Sequence, residues 1–411
     1  MVHLTIKNKL KAIRWLAKSN AWWKNRQARR IYTNTIRYYA DRPLSDSFEI
    51  LLSRRPSVWN GRSDNEDRKP NIFYLGTDEL QDRSGILQTL EQFGRLTYFT
   101  QPDGKYGQYI VGTDEQRRSA NASRIFEIFK SLHASGKPPD ILIAQTFACI
   151  IDPRVFGQIA EMYGTLIVNI AMDDRHQYWG QKIDGGWGGA FGLLPYVDLV
   201  LTAAPECVDW YLKEGCPARF FPEASDPAIF HPMPDLPKIH DVCFVGRRYG
   251  IREKIVLALR DAGIQVAAYG DGWEHGFIKT KDVPALFAQS RIILGIGTIG
   301  HSNDFYALKM RDFDGPMSGS CYITHDNADL QQLYVVGKEI ATYRTSAECV
   351  EKIGYYLRHD AEREAMALAG HQRALREHTW KKRFEEVFNI LGMHEAQGSS
   401  KGVEASRGGG G

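Results

Sequence analysis

The chain has 411 residues, 43% of them hydrophobic, 25% charged and 11% aromatic, the balance of a soluble globular protein with about two to three domains. That balance excludes a wholly disordered chain, a collagen-like repeat and a small disulfide-built scaffold. The net charge of +3 is unevenly spread: residues 1–40 hold ten Lys or Arg and no acid, which leaves the rest mildly acidic.

Residues 1–60 read as a basic amphipathic N-terminal extension. Leu10, Ile13, Ala17 and Ala21 recur at helical spacing. With Trp22 and Trp23, the bases suit either a membrane surface or a helix docked on the body or on a partner. Nucleic acid is not an expected partner. No run of about 18 apolar residues predicts a spanning helix, and the N-terminus lacks the apolar core of a secretory signal. The expected location is therefore cytoplasmic, with residues 1–40 able to hold the protein peripherally at the inner membrane face. Residues 53–70 are polar, without apolar period, and read as a linker.

From residue 71 short apolar runs alternate with helical patterns: 71–76, 96–99, 140–145, 165–170, 198–202 and 218–221. Continuously apolar strands separated by helices predict a parallel sheet covered on both faces. A proline-rich stretch at 220–238 interrupts the rhythm, which restarts with strands at 241–246, 264–270, 291–297, 320–324 and 339–343. Two consecutive open α/β domains follow, at 71–232 and 239–377. A C-terminal helix at 378–392 carries Trp380, Phe384, Val387, Phe388 and Leu391, and a Gly/Ser-rich tail spans 395–411. Ligands of such sheets bind beyond the carboxyl ends of the strands, so the cleft between the domains is the expected site. The six cysteines are scattered without a CxxC pair and read as reduced thiols that hold no metal.

Four groups of residues bear on chemistry. Gly295-Ile296-Gly297-Thr298-Ile299-Gly300 is a literal GxGxxG after a predicted strand, the pattern of a loop whose amides approach a phosphate. A dinucleotide site needs a helix at once and an acid about 20 residues on. Here the helix is expected near Asp304, and the acid slot holds Ser318, Gly319 and Ser320. An NAD(P)-dependent oxidoreductase and a plain turn stand as alternatives. Asp312-Phe313-Asp314 is a literal DxD, but on a helix positions i and i+2 point about 200° apart, so a shared metal ion is not expected. Arg247 and Arg248 follow the 241–246 strand, Arg252 lies one turn into the next helix, and Lys309 and Arg311 are placed on the helix after the glycine loop. Together they suit a diphosphate, with Arg248 read as ordinary surface charge. Asp173, Asp174 and His176 follow the 165–170 strand directly, where a carboxylate or imidazole is placed to act as a general base or, for one aspartate, to cap a helix.

These residues bring the chain to a known family. The segments 240–273 (HDVCFVGRRYGIREKIVLALRDAGIQVAAYGDGW), 290–297 (SRIILGIG) and 308–384 resemble the CgeB-like glycosyltransferases, relatives of the large family 4 of retaining transferases. NIAMDDRHQY (169–178) and residues 201–230 match more loosely. The resemblance implies an α/β GT-B fold, two facing Rossmann-like domains with parallel sheets, here with the basic N-terminal helical extension added. It implies a nucleotide-sugar donor on the C-terminal domain and a glycan, lipid-linked or protein acceptor on the N-terminal one, in cell-surface glycan synthesis. By the same resemblance Arg247, Arg252, Lys309 and Arg311 are candidates for the diphosphate, and Gly297 and His301 for other donor contacts. Asp314 is a candidate for the donor ribose, where the family has Glu. The ExxxxxxxE pattern of relatives would place a second Glu where this chain has Tyr306, so the stereochemistry of transfer stays open. No cofactor or metal is expected, and a non-catalytic sugar or nucleotide binder of the same fold is the remaining alternative.

Overall fold

The structure, a computed structural model, describes residues 14–55 and 69–393, with side chains from Arg26 onward. The first thirteen residues, most of the expected linker and the expected tail at 395–411 lie outside the described residues.

The first sheet has six parallel strands, β1 (Asn71–Leu75), β2 (Arg95–Tyr98), β3 (Ile141–Ala144), β4 (Leu166–Ala171), β7 (Leu199–Thr202) and β8 (Ala218–Phe220), in the order β2-β1-β3-β4-β7-β8. A two-stranded hairpin, β5 (Lys182–Ile183) with β6 (Gly186–Trp187), is inserted before β7. Side chains alternate between two cores, the period of a strand. Phe73, Leu75, Leu142, Ile167 and Val200 pack on one face with Phe129 and Phe156, whereas Ile72, Tyr74, Ile143, Val168 and Leu201 pack on the other. The second sheet is also parallel: β9 (His240–Val245), β10 (Val266–Tyr269), β11 (Ser290–Leu294), β12 (Cys321–His325) and β13 (Ala341–Tyr343), in the order β10-β9-β11-β12-β13. Each of the eleven apolar runs singled out in the sequence overlaps one of these strands.

Two segments join the domains. The proline-rich stretch leaves β8 and crosses to β9, and helix α15 (Trp380–Ile390) returns. The other α-helices used below, numbered in chain order among the described residues, are α1 (Arg14–Ala40), α7 (Asp174–Gln177), α8 (Pro205–Lys213), α9 (Ile251–Asp261), α11 (Arg311–Met317) and α12 (Ala328–Gln331). The apolar stripe of α15 buries Trp380, Phe384, Val387 and Phe388 against the first domain, not the second. Phe388 stacks on Phe93 at 4.9 Å and Phe384 meets Phe221 at 5.6 Å. The two crossings are hydrogen-bonded side by side, Ser225 N to the His378 carbonyl at 3.0 Å and Trp380 N to the Ser225 carbonyl at 3.1 Å. Thr379 caps α15 through the Lys382 amide at 3.2 Å.

The described half of the extension is docked on the body. Tyr39 is buried on Trp210, with ring centroids 5.9 Å apart, and its hydroxyl bonds Tyr178 at 3.0 Å and Glu214 at 2.8 Å. Tyr32 lies near Trp210 of the first domain (6.1 Å) and Phe305 of the second (4.9 Å), so α1 touches both. Arg29 pairs with Asp304, while Arg26, Arg30 and Arg37 are exposed. Among the described residues no helix is long and apolar enough to cross a membrane.

Candidate active site

The carboxyl ends of the two sheets face one cleft. On the second-domain side β9 ends at Gly246, and a Cβ built there would lie 3.1 Å from the Phe244 ring, 3.3 Å from Arg252 Nη1 and 3.4 Å from Arg311 Nη1. The two guanidinium groups therefore converge on a backbone position that any side chain would fill. Arg252, 6% exposed, donates to the Arg247 carbonyl at 3.3 Å, and the half-buried Arg311 donates to the Ile296 carbonyl at 3.4 Å. Each leaves its Nε buried without a hydrogen-bond partner, and neither forms an ion pair among the described residues. Burial, and then the positive charge of Arg311, lowers the Arg252 pKa to about 10. Two like charges held together in a poorly solvated place, with donors to spare, suit an anion. His325, at the end of β12, is kept neutral by burial and by Arg252, its pKa lowered to about 4.

The other residues expected on this side divide. Arg247 is 74% exposed and pairs with Asp271 at 3.2 Å, on the outer surface of the turn. Lys309 precedes α11 and reaches across the cleft to Asp173 at 3.9 Å. Asp314 is buried, accepts from Ser225 Oγ of the interdomain crossing at 2.7 Å, and is held well above the usual carboxylate range by burial. Asp312 points elsewhere, to Tyr322 Oη at 2.6 Å and the Lys309 amide at 2.7 Å, so the DxD carboxylates do not converge.

The glycine string corrects the sequence reading. A helix was expected near Asp304; instead Thr298 pairs with Tyr306 in an antiparallel bridge, and the helix starts at Arg311. Ser302 Oγ accepts from the amides of Asp304 and Phe305 at 3.1 and 2.8 Å and closes the turn. Each glycine answers a need inside the protein. A Cβ at Gly295 would meet Tyr322 Oη and Thr324 Oγ1, one at Gly297 would lie 2.9 Å from the Ala307 carbonyl, and Gly300 takes φ +53°. No helix N-terminus follows the string, so the dinucleotide reading fails here. His301 is exposed at the tip of this loop, its ring 5.1 Å from that of Tyr249.

On the first-domain side β4 delivers four consecutive polar residues with different fates. Asp173 is half-exposed toward Lys309. His176 has its Nδ1 buried and unpartnered, and burial lowers its pKa, so the imidazole is neutral at pH 7. Asp174 corrects the expectation of a cleft base: it is 0% exposed and turns into the core beneath α8, accepting from Tyr211 Oη at 2.9 Å. Arg175 forks onto Glu206 at 2.6 and 2.7 Å and crosses to the second domain, to the Tyr306 carbonyl and Asp329, each at 2.8 Å.

Burial pushes Asp174 up to about 7, which makes a prediction. The folded-state pKa lies above the unfolded one of about 3.9. The associated stability is therefore present at low pH and is lost as pH rises from about 4 to about 7. In Asp174→Asn, urea unfolding across that window is expected to show a pH slope shallower by about 1 kcal/mol per pH unit; an unaltered slope contradicts the assignment.

Sequence reasoning missed Gly246, Arg175 and Glu223. Gly246 lay outside the glycine string that drew attention, and Arg175 was hidden between more familiar acid–base residues. Glu223 stood where the loosely matching segment 201–230 runs into the proline-rich crossing, and was given no role.

Residues 247–389 match the family model described as glycosyl transferase-like, and this segment contains Arg252, Lys309, Arg311, Asp314 and α15. Among curated proteins none matches the chain by sequence. The fold is similar to that of sucrose-phosphate synthase from Thermosynechococcus elongatus, at 12% identity and TM-score 0.58 over 79% of this chain and 98% of that one. HepE of Anabaena, solved in complex with UDP-glucose, matches at 11% identity and TM-score 0.57 over 79% and 100%. A glycosyltransferase from Rickettsia africae matches at 13% and 0.53 over 79% and 99%. The fold is GT-B, and its second domain is glycosyl transferase-like.

Proposed function

We propose that the chain is a glycosyltransferase of hexosyl type that takes its sugar from a nucleoside-diphosphate donor. The observation that carries this reading is the pair Arg252 and Arg311, converging on Gly246 with no ion-paired carboxylate among the described residues. A diphosphate brings the missing charge and accepts from the unpartnered N–H groups. Its charge grows as it leaves, and fixed cations aimed at it lower the barrier. Arg252, Arg311 and Lys309 supply that charge in a transfer that proceeds without a metal. The acceptor hydroxyl gives its proton to Asp173 or the neutral His176 if transfer inverts the sugar; in a front-face retaining path the departing phosphate takes it.

The CgeB-like subtype and a role in cell-surface glycan synthesis rest on the sequence resemblance. Donor-bound relatives of this fold such as HepE support the donor class. A cytoplasmic enzyme with exposed Arg26, Arg30 and Arg37 on α1 is suited to a lipid-linked acceptor at an anionic membrane surface. The test is a thermal-shift screen against UDP, GDP, dTDP, CMP, NAD and their sugar conjugates. A ligand at 100 times its Kd stabilises by about 2.7 kcal/mol. One nucleoside diphosphate and its conjugates are expected to stand out; a response to NAD alone overturns the reading.

A further inference from the structure

Glu223 is unexplained by anything above. It lies three residues beyond β8, where the carboxyl edge of the first sheet meets the second domain, and is 4% exposed. Its Oε2 is buried without a hydrogen-bond partner. The charged groups that act on it include Lys309 and Asp312 of the second domain and Asp173 of the first. Glu223 in turn acts on Asp314, which also feels Arg311, and on the buried Arg383 of α15. A buried carboxyl oxygen with no donor is costly, and such a group in a native structure calls for a partner. Lys309 is engaged with Asp173, Asp312 with Tyr322, and Asp314 with Ser225. Arg383 is engaged with the Pro222 and Glu377 carbonyls and with His378. These neighbouring groups thus have other partners, and the Glu223 Oε2 stays open where the interdomain crossing leaves the first sheet.

We propose that Glu223 receives a hydroxyl group of the donor's sugar, making it a specificity-determining residue contributed by the interdomain crossing. The assignment rests on the glycosyltransferase reading. With the diphosphate at Gly246 between Arg252 and Arg311, a sugar on its distal phosphate extends toward the first domain, where Glu223 is the buried acceptor without a partner. Sugar hydroxyls both donate and accept. Burial pushes the Glu223 carboxyl up to about 7 against the pull of Lys309, so near neutral pH it is available in both forms.

The two partners of a donor, nucleotide and sugar, separate in the test. Dissociation constants are measured by calorimetry for UDP and UDP-glucose, and for GDP and GDP-mannose, with wild type, Glu223→Gln and Glu223→Ala. For the pair that wild type binds, Glu223→Ala is expected to leave the nucleoside diphosphate within about twofold and to weaken the nucleotide sugar at least about tenfold, the loss of one hydrogen bond to a charged group. Glu223→Gln, close in shape and able to donate and accept, is expected to fall between. It keeps the test valid if the alanine variant folds poorly. A ratio of the two dissociation constants that stays unchanged in both variants overturns the proposal, as does equal weakening of nucleotide and nucleotide sugar. Failure of wild type to bind any nucleotide or nucleotide sugar of the thermal-shift screen, dTDP, CMP and their conjugates included, instead overturns the glycosyltransferase reading, and this proposal with it.

Discussion

Arg311→Met is expected to abolish nucleoside-diphosphate binding, by at least about 100-fold or about 2.7 kcal/mol, without lowering the stability of the free protein. The two halves of this result have one cause. In the free protein Arg311 and Arg252 converge on Gly246, and burial together with their mutual repulsion lowers the Arg252 pKa. Methionine keeps the apolar stem and removes one of two like charges, so relief of repulsion offsets the lost hydrogen bond to Ile296 and the lost guanidinium contact with the Phe244 ring. A bound diphosphate loses a charge-assisted contact in a partly desolvated site, where truncating one partner costs about 2–5 kcal/mol. Thermal melts with and without saturating ligand read both quantities. A variant that melts several degrees lower yet keeps its ligand shift places Arg311 in the scaffold. Arg247→Ala is the control: its side chain is exposed and its pair with Asp271 is a surface pair, worth about 0–1 kcal/mol.

The sequence made the sheets legible because their central strands are buried on both faces and are therefore largely apolar. Ile141–Ala144 and Leu166–Ala171 show this plainly, with every residue buried. Helix α15 was legible in its stripe, but a stripe says that a face is covered and not by what. That Phe388 stacks on Phe93, almost 300 residues earlier in the chain, is a tertiary fact. The same limit applies to α1, whose bases and aromatics fit two destinations until Tyr39 is seen beneath Trp210. The glycine string misled for another reason: glycines are required wherever a neighbour comes close, and the neighbour of Gly295 is Tyr322, a side chain of the adjacent strand. The two guanidinium groups come from residues 6 and 65 positions away from Gly246, so only the fold brings them together. Charge type and position pointed to Arg252 and Arg311; that neither forms an ion pair among the described residues is visible only in the fold.

Arg175 holds the cleft together, and Arg175→Met is expected to cost about 3 kcal/mol or more, the range found when one partner of a buried ion pair is removed. The loss exceeds the contacts themselves. Arg175 and Asp329 are each 9% exposed on the side chain, and Glu206 is 26% exposed; without the guanidinium, two carboxylates approach the same space with no cation between them. Glu206 belongs to α8 of the first domain and Asp329 to α12 of the second, and the Tyr306 carbonyl that Arg175 also binds is on the loop leading to Lys309 and Arg311. The bridge therefore sets the distance between the first-domain side of the cleft, with Asp173 and His176, and the second-domain side. Urea unfolding is expected to show a lower midpoint and a broader transition as the domains uncouple. The double variant Arg175→Met with Asp329→Asn is expected to recover part of the loss, because it removes one of the stranded charges, and the cycle isolates the pair from the rest of the side chain. If Arg175→Met costs less than about 1 kcal/mol and the double variant recovers nothing, the domains are held instead by α15 and by the hydrogen-bonded crossing at Ser225 and Trp380.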